Sequence, residues 1–98
     1  MAAMLYQFMV TVLDANGKEI FSENMGGELP RKCFDDFFNE VCERAALNGG
    51  KTILIDEFKR NNSQNKTTTT YSRMNWNGKK WTKEQIITKE EYDALIDG

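Results

Sequence analysis

A chain of 98 residues, 40% hydrophobic and 11% aromatic, has the size of one domain and the bulk for a packed core, which excludes a wholly disordered polymer. Its formal net charge of -2 excludes an overall pull toward nucleic acid or an anionic membrane. No apolar run approaches the roughly 20 residues of a membrane-spanning helix, and the start Met1-Ala-Ala-Met4 lacks the basic region of a secretory signal. The chain is therefore expected in the cytoplasm, with no membrane partner.

The small net charge conceals a division. Between positions 51 and 83 stand eight cations (Lys51, Lys59, Arg60, Lys66, Arg73, Lys79, Lys80 and Lys83) against only Asp56 and Glu57. The flanks on either side are each net acidic, so the chain runs acidic, basic, acidic.

Leu5 to Leu13 alternates like a strand, with Tyr6, Phe8, Val10 and Val12 on one face and Leu5, Met9 and Leu13 on the other. Asp14-Ala15-Asn16-Gly17 supplies turn chemistry, and Lys18 to Glu23 is expected to return as an antiparallel partner. Met25-Gly26-Gly27 is read as breaking that strand, and Pro30 fits the first position of a helix. Phe34, Phe37, Phe38, Val41 and Ala45 recur at three- and four-residue spacing, so residues 30–48 are predicted to form an amphipathic helix closed by Asn48-Gly49-Gly50.

Lys51 to Lys59 predicts a third strand, the polar residues 61–65 a turn, and residues 67–74 a fourth strand rich in β-branched and aromatic side chains. Asn77-Gly78, between Trp76 and Trp81, signals a further turn, with a short fifth strand expected from about Lys79. Thr88 and Glu91 have capping-box spacing ahead of a terminal helix with Tyr92, Leu95 and Ile96 as its apolar stripe. Residues 1–98 thus read as a single α+β domain: an antiparallel sheet of four to five strands, β-β-α-β-β-(β)-α, with one long amphipathic helix across one face.

One helix covers one face, yet the first and third strands are apolar on both, with Leu5, Met9, Leu13, Leu54 and Phe58 on the second. Either the terminal helix and the Trp76 to Trp81 hairpin fold back over that face, or a protein does, as a second copy or a different partner.

Catalytic chemistry finds little footing in a chain without histidine, which removes the commonest general base and metal ligand. Cys33 and Cys42 fall on the one predicted helix, nine positions and about 13 Å apart, too far for a disulfide, and read as structural thiols. Glu57-Phe58-Lys59 after Asp56 resembles half of a metal-dependent nuclease signature, but Asp35 and Asp36, the other acids, stand on a helix rather than a strand. No metal, no cofactor and no catalytic residue is therefore assigned, and the chain is expected not to be an enzyme.

Two surfaces remain as binding candidates. One is the aromatic-basic hairpin of Tyr71, Arg73, Trp76, Lys79, Lys80 and Trp81; the other is the acidic helix face of Asp35, Asp36, Glu40 and Glu43, with Asn39 beside them. A compact acidic chain with Thr-Lys-Glu-Glu-Tyr-Asp at 88–93 loosely resembles small accessory proteins of bacteriophages and mobile elements. That resemblance implies a non-enzymatic protein-binding module, an inhibitor of a host defence complex in the manner of anti-CRISPR proteins. The alternatives are a sheet-based single-stranded nucleic-acid binder using Lys59, Arg60, Arg73, Lys79 and Lys80, and a homodimeric structural protein.

Overall fold

The computed structural model describes residues 4–97. Five strands, β1 (Met4–Leu13), β2 (Glu19–Gly27), β3 (Thr52–Asn61), β4 (Lys66–Asn75) and β5 (Gln85–Ile87), form one antiparallel sheet in the order β2-β1-β3-β4-β5. Helix α1 (Asp35–Leu47) follows a 3-10 turn at Arg31–Phe34, and helix α2 (Lys89–Asp97) is the last element of the described residues. The α+β architecture expected from the hydrophobic pattern is the observed one.

The turns follow from local chemistry. The Asp14 carboxylate accepts the backbone N–H groups of Asn16 at 2.8 Å and Lys18 at 3.0 Å, while Gly17 takes φ +80°, a region where only glycine is at ease. Between β3 and β4 the Asn61 carboxamide oxygen accepts from the backbone of Ser63 and Gln64, and Asn65 sits at φ 49°. At α2 the capping box forms as the Thr88 and Glu91 spacing predicts, the Glu91 N–H donating to Thr88 Oγ1 at 3.1 Å.

Three boundaries differ from the sequence reading. Residues 25–27 do not end the second strand; Met25, Gly26 and Gly27 pair with Phe8, Gln7 and Tyr6. The reason is close approach, since a Cβ on Gly26 would stand 2.8 Å from the Tyr6 carbonyl oxygen. Glycine here admits the neighbouring backbone instead of breaking the strand. The helix opens as a 3-10 turn, in which the Cys33 N–H donates to the Pro30 carbonyl at 2.9 Å, and Pro30 precedes it with extended ψ 147°. The fifth strand begins at Gln85 rather than Lys79; Trp76 and Trp81 meet in an isolated bridge, and the chain reaches the β4 edge later.

Alternation divides the core. On one face Phe8, Val10, Val12, Ile53 and Ile55 pack against Phe34, Val41 and Ala45 of the helical layer. Gly50 lets the chain return beside the sheet, since a Cβ there would meet Val12 Cγ1 at 2.8 Å and the Ala45 carbonyl at 2.9 Å. On the opposite face a smaller cluster of Leu13, Leu54, Ile87 and Tyr92, joined by Tyr71 and Leu95, seats α2. Each fully buried aliphatic or aromatic side chain stabilises the fold by about 1.5–3 kcal/mol, so the layer under α1 contributes most.

Candidate docking face

Helix α2 has only 9 residues, and the cluster it completes lies toward the Leu13 end of β1. Pairing of Met9 with Asp56, Gln7 with Phe58 and Met9 with Asn24 puts the other end of the second face beyond it. There Leu5, Met9, Phe58 and Asp56 line an open concavity of about 630 Å³ with Gln7, Asn24 and Gly26. Met9 is 42% exposed. Among the described residues, α2 thus covers the Leu13 end of the second face and nothing covers the Leu5 end, so the terminal helix shields that face only in part.

Asp56 stands at the junction. Its carboxyl is pushed above the ordinary aspartate value by burial, because a low-dielectric surrounding disfavours the charged form. The Tyr92 hydroxyl is also pushed up, first by burial and then by the charge of Asp56.

The opposite face holds a polar cluster that the sequence did not announce. Arg31 Nε donates to Glu57 at 2.7 Å, its Nη2 reaches Glu84 at 3.1 Å, and the Ser72 hydroxyl donates to the same Glu84 at 3.0 Å. The Arg31 guanidinium also lies 5.6 Å from the Phe8 ring centre and 5.4 Å from that of Phe38. Burial works against its charge, but the hydrogen bond to Glu57 and the charges of Glu84 and Glu57 outweigh it and raise its pKa. This cluster ties the 3-10 turn, β3, β4 and the segment before β5 together. It also places Glu57 in an ion pair on the α1 face while Asp56 faces the other way, so the acids of the nuclease-like triplet do not converge. Among the described residues no group of three His, Cys, Asp or Glu side chains gathers at metal-binding spacing.

The hairpin candidates separate. Tyr71 packs against Tyr92 with ring centres 4.8 Å apart beneath α2, and the buried Nε of Arg73, on that same face, has no hydrogen-bond partner among the described residues. Trp81 lies on the α1 face, donating Nε1–H to the Cys42 carbonyl at 3.0 Å, with Trp76 edge-on to it at 5.3 Å. The Trp76 to Trp81 hairpin therefore packs on the α1 face, not over the second face. Lys79 and Lys80 are exposed at its tip, where their N–H groups are held by the Asn77 side chain.

The nucleic-acid set is equally dispersed. Lys59 pairs with Thr68 on the α1 face, whereas Arg60 and Arg73 point to the second. Thr68 and Asn75 are seven positions apart along β4, so roughly 24 Å of strand separates Lys59 from the hairpin. Asp35, Asp36, Glu40 and Glu43 are each exposed on α1; Asp35 borders a concavity with Asn39 and Cys42, whereas Glu40 and Glu43 border one with Phe21 and Leu47. Cys33 and Cys42 are both free; Cys33 is exposed and the Cys42 thiol is pushed up by burial.

Fold and site together define the class, a small α+β protein with one antiparallel sheet, helices on opposite faces and a concave sheet end left open among the described residues. Compared with known proteins, the chain matches no family model, and no curated protein or solved structure is close enough to count as a match. No helix among the described residues is long and apolar enough to cross a membrane.

Proposed function

We propose that this chain is a non-enzymatic protein-binding module whose docking surface is the uncovered half of the second sheet face. One observation carries the reading: α2 packs over the Leu13 end of the sheet, and among the described residues Leu5, Met9 and Phe58 stand around an open concavity. Apolar side chains massed on a sheet face are the kind of surface that protein interfaces bury, and methionine adapts to varied partners. The narrower form, inhibition of a host defence complex, draws only on the resemblance to phage accessory proteins.

The polar frame of Gln7, Asn24 and Asp56 would orient a partner, since each misplaced polar contact leaves a group unsatisfied. Affinity capture tests the reading. A protein retained from bacterial lysate by the wild type and by Asp36→Lys, but lost with Met9→Asp/Phe58→Asp, supports it. Equal retention by all three baits, or none by the wild type, refutes it. The nucleic-acid reading predicts oligonucleotide binding that falls steeply with salt; the dispersal of its cations over two faces speaks against it.

A further inference from the structure

Strand β2 is the last strand of the sheet, and among the described residues nothing pairs with its outer edge. Every second residue of its 9 therefore turns an N–H and a C=O outward. A second groove of about 480 Å³ borders this edge on the α1 side, floored by Phe21, Phe37 and Leu47 and rimmed by Glu23, Glu40 and Glu43. Leu47 is 86% exposed. Arg44 is committed to Glu23 at 2.6 Å, over the Phe21 ring. Glu40 and Glu43 have no ion-pair partner among the described residues.

Resting on the docking reading above, we propose that the β2 edge accepts an extended segment of the partner as a sixth strand, with Lys or Arg at alternate positions. Charge selects this occupant. A second copy would add the acids Glu19 and Glu23 and no cation, since β2 carries no Lys or Arg, and a nucleic acid would meet the same acids. A cationic strand meets complementary charge, and its backbone satisfies the outward groups. The spacing agrees: alternate residues of a strand are about 6.8 Å apart, and Glu40 and Glu43, three apart on a helix, about 5–6 Å. The intervening residues of the segment would face the concavity on the other side, beside Met9 and Asn24.

Three synthetic nonapeptides provide the probes: alternating Lys-Val, the same with two prolines replacing valines, and alternating Glu-Val. Amide hydrogen exchange of the full chain is read with each peptide, at low and high salt. The expected result is slowed exchange confined to β2 with Lys-Val alone, weakening with salt. Glu40→Gln/Glu43→Gln should weaken Lys-Val binding about three- to tenfold, as loss of two exposed ion pairs implies. Unprotected β2 amides, or equal binding of the proline or Glu-Val peptide, would overturn the inference, as would a stable dimer by light scattering with β2 protected by the second copy. Loss of captured protein with Met9→Asp/Phe58→Asp alongside an unprotected β2 would discard the edge inference and leave the docking reading standing.

Discussion

Two adjacent glycines offer a matched pair of perturbations. At Gly26 an added Cβ would come within 2.8 Å of the Tyr6 carbonyl oxygen and 3.0 Å of Gln7 Cγ, whereas at Gly27 the one neighbour is Leu29 Cδ1 at 4.0 Å. Neither has a positive φ, so backbone strain does not separate them. Replacing either by alanine reduces the freedom of the unfolded chain and by itself stabilises by about 0.4–1 kcal/mol. At Gly26 this gain is set against an overlap with backbone that cannot rotate away, and overpacking costs about 1–3 kcal/mol. The net for Gly26→Ala is a loss of about 1–2 kcal/mol, or roughly 5–15 °C in Tm for a domain of this size. Gly27→Ala should raise Tm by a few degrees, about 2–6 °C. Thermal and urea unfolding followed by circular dichroism measure both. Equal shifts, or a larger loss at Gly27, would refute the pairing of β2 with β1 and with it the geometry of the docking concavity.

Trp81→Phe removes the hydrogen bond to the Cys42 carbonyl and should cost about 1–2 kcal/mol by urea unfolding, while Lys79→Ala at the exposed tip should cost nothing measurable. Asp56→Asn should stabilise the protein at neutral pH. The folded carboxyl titrates above the ordinary value of 3.8, so ionising it in the native state costs stability as pH rises through that window. The gain should shrink as pH falls and vanish below 3.8; a pH-independent gain, or a loss at pH 7, would contradict the burial of this group. Thiol titration with an aromatic disulfide should show one fast site, Cys33, and one slow site, Cys42, whose thiol is buried and pushed up; two equally fast thiols would contradict the packing of α1.

The strand and helix order was legible because each element has its own apolar period: two along β1, near 3.6 along α1. What the sequence obscured were the places where tertiary contact overrides local signals. Gly26 reads as a breaker because the residue that requires its missing side chain, Tyr6, is twenty positions earlier. The fifth strand was misplaced because Asn77-Gly78 is a good hairpin signal, and the bridge it makes is only one pair long. The second apolar face was visible in Leu5, Met9 and Phe58, but how much of it α2 covers depends on the length and landing place of that helix. Arg31 carried no mark at all: Glu57 and Glu84, its partners, lie 26 and 53 positions away.

The most direct test of the docking face places a photo-cross-linking benzoylphenylalanine at Met9 in one bait and at Lys79 in another, then irradiates each in bacterial lysate. The account predicts adducts with another polypeptide at Met9 and none at Lys79. Adducts at Lys79 alone, or an unmodified chain at Met9, would contradict it.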